Sequence, residues 1–318
     1  MTSILSPVVP VSVIIPAHNA QHWLLRSVGS ILADNVDQIV IVDDASVDDT
    51  SRVARSLMEQ HPQVTFKALP ANRGAAAARL AGARLARNDW IAPVDSDDYV
   101  GPNAVSEAYY RAIADNADMC IWTMHRVSEK SSTRWPDLNS LSFPITGRCA
   151  AGLTLGEWRI HPSGVVRKQA FLQAAASVEV DAFNSDELVT RRLFMACKVV
   201  TACQASYYYV DNPNSTGHRL DHDASELVRS HAWLLRFALE QGFLDDDPAL
   251  AHVMVRQGLH LAEELQQRSV RAEIGPFLAL LALCSPSLTS TGFKELYRTY
   301  RGRGSRQRLL ALMSAATP

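Results

Sequence analysis

Three carboxylates crowd into four positions at Asp95, Asp97 and Asp98, directly after the apolar run Ile91-Ala92-Pro93-Val94. Like charges held that close repel one another, so a chain gathers them where a counter-charge arrives. The counter-charge that suits a set of oxygen donors is a hard divalent cation, Mn²⁺ or Mg²⁺. Read alone, Asp95-Ser96-Asp97-Asp98 is more readily an acidic surface turn than a cation site. An apolar run that feeds straight into the acids places them at a strand's end, where α/β sheets hold their ligands. Pro93 has no N–H to give to a ladder, which predicts a sheet edge or a strand start for that run.

The same design recurs upstream, and it defines the elements that must position these groups. Val11-Ser12-Val13-Ile14-Ile15-Pro16 reads as a buried strand that runs into Ala17-His18-Asn19. Gln38-Ile39-Val40-Ile41-Val42 is a second strand and closes in Asp43-Asp44. Val64 to Leu69 is a third, followed by Asn72-Arg73-Gly74, and Ile91 to Val94 is a fourth. Helices are expected between them over Trp23–Leu32, Thr50–Gln60 and the Ala-rich stretch from Asn72 to Arg87. This β-α alternation predicts a parallel sheet with helices on both faces. Asn19, Asp44, Arg73 and the Asp95–Asp98 acids then share its carboxyl edge, where a nucleotide can sit. Neither a G-x-G-x-x-G fingerprint nor a P-loop is present.

Composition narrows the class. The chain has 318 residues, 47% hydrophobic and 20% charged, enough for one large domain or two modest ones. A formal charge of −2 argues against a general nucleic-acid binder. The five cysteines form no C-x-x-C pair, which fits a reducing compartment. Met1 to Pro7 carries no basic leader, and the longest apolar stretch, Phe277 to Cys284, is too short to span a bilayer. The expectation is a soluble cytoplasmic protein.

Downstream, Pro102–Asn116 reads as a helix, Asp118–Thr123 as a strand and the polar Ser128–Arg148 as a loop. Gly164–Ala176 is a strand edge entering a helix. Asn184-Ser185-Asp186-Glu187 precedes a helix over Leu188–Ala196, and Val199–Val210 is a strand pair or one bent strand. From Asp221 the texture is helical, so the boundary is set near residue 220, leaving 221–318 as a helical C-terminal region. Phe293–Met313 carries Lys294, Arg298, Arg301, Arg303, Arg306 and Arg308 against Glu295. Such a basic amphipathic tail could rest peripherally on an anionic membrane, or pack as a solvated helix pair.

Four stretches occur together in order. They are Val13-Ile14-Ile15-Pro16-Ala17-His18-Asn19, Ile41-Val42-Asp43-Asp44-Ala45-Ser46-Val47-Asp48, Asn72-Arg73-Gly74 with Arg79, and Val94-Asp95-Ser96-Asp97-Asp98. Together they resemble the family 2 glycosyltransferases, strongly over residues 10–125 and more weakly to 217. The resemblance implies a GT-A fold: a Rossmann-like mixed sheet flanked by helices, over residues 1–220. Residues 10–125 would be its nucleotide-binding half and 126–220 its acceptor half. It also implies a nucleotide-sugar donor, a divalent metal and inverting transfer. By the family's pattern Pro16, Ala17 and Asn19 line the base and ribose pocket, and Asp44 bonds the nucleobase. Arg73 and Arg79 lie near base and phosphates. Asp95 and Ser96 belong to the nucleotide-sugar site, and Asp97 faces the metal with Asp98 in support. His18 departs from the aromatic or small residue more common at its place.

An inverting transfer needs a base for the acceptor hydroxyl. Asp186 is the candidate, with Glu187 as the alternative; both could also cap the helix they precede. The resemblance favours a UDP-sugar over GDP- or dTDP-sugars. The acceptor would be a saccharide, a lipid-linked glycan or a small-molecule aglycone. The absence of Gln-x-x-Arg-Trp points to a non-processive enzyme of polysaccharide, glycolipid or natural-product glycoside synthesis. The competing readings are a nucleotidyltransferase and a non-catalytic sugar-nucleotide-binding scaffold.

Overall fold

The computed structural model describes residues 7–128, 131–176, 185–212 and 224–267. Contacts divide the chain into two compact units, residues 1–154 with 158–216, and residues 155–157 with 217–318.

The first unit opens with the alternation read from the sequence. In order come β1 (Val9–Ala17), α1 (Leu24–Leu32), β2 (Val36–Asp43), α2 (Thr50–Gln60), β3 (Val64–Ala68), α3 (Ala75–Leu85) and β4 (Trp90–Pro93). Then follow β5 (Tyr99–Val100), α4 (Ala104–Ala114), β6 (Met119–Val127), β7 (Ser132–Arg134), a 3₁₀ turn (Leu138–Ser140), β8 (Ile145–Thr146) and α5 (Gly147–Gly152). β9 (Gly164–Arg167), α6 (Lys168–Ala176), α7 (Ser185–Ala196) and β10 (Val199–Val210) complete it.

The strands form one sheet in the order β3-β2-β1-β4-β9-β6-β10-β5. β3, β2, β1 and β4 are parallel, as the alternation predicts. β9 then enters antiparallel between β4 and β6, so the sheet is mixed. β1 and β2 are buried on both faces, which is why they read as unbroken apolar runs rather than alternating ones. Residues of β1, β2, α1 and α4 share the main core. On the other face α3 packs close because Gly82 has no Cβ; one there would stand 2.4 Å from the Ile14 Cγ2 atom. Asp34 holds the start of α4, accepting from the Val105 and Ser106 amides at 2.5 and 3.2 Å.

Three expectations are corrected. Pro93 lies at no sheet edge and no strand start: it ends β4, in the middle of the sheet. The Val94 amide donates to Ile14 of β1, so the Pro93 nitrogen points the other way, and there β9 pairs only with Trp90 and Ile91. The missing N–H therefore costs no ladder bond. The polar 128–148 stretch holds two short strands as well as loop. Its β7 extends the sheet with exposed residues only, so no buried face marks it in the sequence. Asp186 and Glu187 fall inside the first turn of α7 rather than before it.

In the second unit α8 (Ala224–Glu240), α9 (Phe243–Asp246) and α10 (Pro248–Gln267) pack around Leu235, Phe237, Phe243 and Met254. The His231 ring Nε2 donates to the Met254 carbonyl at 3.1 Å, and Gln257 donates to the Gly156 carbonyl at 2.7 Å. The basic tail lies outside the described residues. Among the described residues no helix is long and apolar enough to cross a membrane.

Candidate functional site

The ends of β1 and β2 are clipped together by side chains. Asp44 donates its amide to the Ala17 carbonyl at 2.8 Å. Its buried carboxylate accepts from the Arg73 and Gly74 amides at 2.9 and 2.7 Å, fixing the entry to α3. Gly74 sits at φ +84°, a conformation that suits glycine. The His18 Nδ1–H donates to the Asp44 carbonyl at 2.9 Å, so its Nε2 accepts from the Asn72 and Asn19 amides at 3.1 and 3.2 Å. Asn19, at φ 51°, also accepts from the Val47 amide and donates its own amide to the Ser46 hydroxyl. Pro16 and Ala17 are buried beneath this clip. His18, which the sequence marked only as a departure, is therefore the hub of the clip.

α3 links this corner to the acids. Its Arg79 reaches Asp95 with Nη2 to Oδ1 at 2.6 Å. The acidic turn is then held from β10. The Asp95 amide donates to the Tyr207 oxygen at 3.3 Å, and the Tyr207 hydroxyl donates to Asp98 at 2.6 Å. The other Asp98 oxygen accepts from the Val210 amide at 2.8 Å, and Asn212 donates to Asp97 Oδ2 at 2.9 Å. From α1, Arg26 donates to the Asp97 carbonyl at 2.5 Å and Ser27 to the Asp95 carbonyl at 3.2 Å. Ser96 is buried in the same turn.

The electrostatics follow from this crowding. Burial, then the Asp95 charge, raise Asp97 above the ordinary carboxylate range. The same two causes push Asp98 up to about 8. Burial and the Asp98 charge hold the Tyr207 phenol well above its usual value. Burial and mutual repulsion thus both disfavour the ionised forms of the turn's carboxyls. Among the described residues no three His, Cys, Asp or Glu side chains converge on a metal position. The oxygen donors of the turn are nonetheless of the chemical type that suits a hard cation. Asp98, with both oxygens engaged, stands behind the turn as its anchor.

Of the acidic pair on α7, Glu187 is held by a buried arginine. The Glu187 Oε2 pairs with Arg191 Nη1 at 2.5 Å. The buried Arg191 also donates to the Thr154 carbonyl at 2.6 Å and lies 4.1 Å over the Trp158 ring. The Asp186 backbone lies in the first turn of the same helix. Tyr207, Asn212 and Arg191 escaped the sequence reading as site residues. Their partners Asp98, Asp97 and the Thr154 carbonyl lie far off in sequence, so no local spacing marks them.

Comparison with known proteins places this geometry. The profile of Glycosyl transferase family 2 matches residues 12–173, just over half of the 318. The succinoglycan biosynthesis protein ExoO of Rhizobium meliloti is 27% identical over 297 residues, covering 85% of this chain and 81% of that protein. Chondroitin synthase of Escherichia coli is 31% identical over 140 residues, but those cover 43% of this chain and only 20% of the synthase. A structure of S. aureus TarS residues 1–349 in complex with UDP-GlcNAc matches with a TM-score of 0.64 at 14% identity, covering 94% of this chain and 92% of that one. The fold is therefore GT-A, with its mixed sheet and flanking helices. With the carboxyl-edge constellation inside the matched residues, the chain belongs to glycosyl transferase family 2 and is a transferase of that family.

Proposed function

We propose that this chain moves a sugar from a nucleoside-diphosphate donor to an acceptor hydroxyl, with inversion at the anomeric carbon and in a metal-dependent, non-processive reaction. The observation that carries the reading is the role of α3. The Arg73 and Gly74 amides just ahead of it close on Asp44, and its Arg79 reaches Asp95 beside Asp97. Base, ribose and diphosphate would then lie along one sheet edge.

Each Asp44 oxygen accepts one amide and keeps a second lone pair for a base N–H, which suits uracil. TarS structures with UDP-GlcNAc and with UDP share the fold and support a uridine donor. GDP- and dTDP-sugars are the alternatives to screen. Asn19, Pro16 and Ala17 would shape the base and ribose pocket, with Arg73 and Ser96 beside it. Asp97, oriented by Asn212 and backed by Asp98, would hold Mn²⁺ or Mg²⁺. When bound, the cation supplies Lewis-acid neutralisation of the charge on the departing diphosphate. Asp186 would take the acceptor's proton. Glu187, its alternative, is tied to Arg191. The name of ExoO supports polysaccharide assembly as the setting, with a saccharide as acceptor. We place the work in the cytoplasm, with residues 293–318 as the segment for membrane contact.

Incubation with Mn²⁺ and a panel of nucleotide sugars tests the proposal. It predicts slow release of the nucleoside diphosphate from one donor. Pyrophosphate release from a sugar phosphate and a nucleoside triphosphate would mean a nucleotidyltransferase instead, and binding without turnover a scaffold.

A further inference from the structure

Outside the clip and the acidic turn, an exposed indole stands beside two further rings. Trp135 follows β7, its amide held by the Met124 carbonyl at 3.0 Å, and it is 45% exposed. Its ring centroid stands 6.5 Å from the His161 ring, which lies 5.4 Å from the Trp158 ring. Trp158 in turn is backed by the Arg191 guanidinium at 4.1 Å. Arg191 cannot swing away, because Glu187 and the Thr154 carbonyl bind it from two sides. The three rings therefore stand on a fixed base that includes the first turn of α7.

His161 adds a polar group. Its Nδ1 accepts from the Ser163 amide at 3.3 Å and lies 2.9 Å from the Ser163 hydroxyl. In the neutral ring the proton is then on Nε2, and among the described residues nothing accepts from it. Burial pushes the imidazole down to about 4, so it is neutral near pH 7. The charges of Asp95, Arg79 and Arg191 also act on this ring.

An exposed indole beside a tilted imidazole and a second indole offers flat apolar faces with one N–H donor. A pyranose presents the complement: an apolar face of C–H groups and a rim of hydroxyls. We infer that Trp135, His161 and Trp158 form the platform on which the acceptor's pyranose ring stacks, with His161 Nε2–H bonding one of its oxygens. The inference rests on the proposed transfer and adds the acceptor class and the residues that select it. Through Arg191 and Glu187 the platform is joined to α7, the helix that carries the candidate base.

The test uses the full-length protein and Trp135, whose exposure lets the side chain be cut without emptying a core. Saturation-transfer NMR is run with the methyl glycosides of glucose, galactose, mannose and N-acetylglucosamine as probes, and calorimetry with UDP and Mn²⁺. Binding of at least one glycoside by the wild type, weakened tenfold or more in Trp135→Ala and kept within threefold in Trp135→Phe, supports the platform. UDP affinity within twofold in both variants locates the loss on the acceptor side. No glycoside binding by the wild type, equal binding in Trp135→Ala, or a loss of UDP affinity instead would overturn it. Failure of the wild type to bind UDP with Mn²⁺ would count against the proposed donor and leaves the glycoside comparison readable by itself.

Discussion

The Tyr207 hydroxyl donates to the buried Asp98 carboxylate at 2.6 Å while the same oxygen accepts the Asp95 amide at 3.3 Å. One phenol on β10 thus fixes both ends of the acidic turn, more than a hundred residues away in sequence. Tyr207→Phe removes the donor and leaves a buried carboxylate oxygen without it. The expected cost is about 1–3 kcal/mol of stability, read as a lower denaturant midpoint with an unchanged slope. Manganese-dependent turnover should fall with it. An unchanged midpoint would show that the turn stands without Tyr207.

Asp44 holds two amides with its two oxygens, and an amide side chain has only one acceptor. Asp44→Asn sets an NH₂ against an N–H at the start of α3 and gives up an anion near that helix's positive end. The variant should lose about 1–3 kcal/mol of stability and raise the donor KM. Normal donor KM and normal melting together would contradict the clip.

Asp186→Asn should lower kcat with little change in donor KM, as the loss of a base predicts. Glu187→Gln should instead act through Arg191, whose carboxylate partner it removes, and show first as a loss of thermal stability. If Glu187→Gln cripples kcat at full stability while Asp186→Asn stays active, the two roles are exchanged.

His161 sets a pH dependence of stability. Its folded pKa is about 4, lowered by burial from 6.5. Between those values the unfolded chain binds more protons, so the histidine's contribution is complete above pH 6.5 and is lost as the pH falls toward 4. Partial exposure of the ring makes about 3 kcal/mol an upper bound. The buried Asp98, raised to about 8, acts with the opposite sign, since its contribution fades as the pH rises. Comparing wild type with His161→Gln isolates the histidine. The difference in midpoint should shrink steadily from pH 7 to pH 4.5, and a flat difference would contradict it.

Local pattern made much of this molecule legible. α2 runs over Thr50–Gln60 as its periodicity indicates, and β1 and β2 were visible because both their faces are buried. What stayed hidden depends on distant partners. The sequence groups Asp98 with Asp97, and only β10, folding back beside β6, shows that Asp98 bonds inward to Tyr207 and Val210. β7 is polar throughout, so no apolar period announces it. The aromatic platform gathers Trp135, Trp158 and His161 across 27 positions, a spacing without meaning until β9 lies antiparallel beside β6.

The proposed transfer requires a divalent cation that Asp97 would hold only when a nucleoside diphosphate shares it. Calorimetric titration of UDP into wild type and Asp97→Asn, each with and without Mn²⁺, tests that most directly. The prediction is that Mn²⁺ tightens UDP binding by at least about tenfold in the wild type, roughly 1.4 kcal/mol, and by nothing in Asp97→Asn. Equal UDP affinity with and without Mn²⁺ in the wild type, or an undiminished Mn²⁺ effect in the variant, would contradict it.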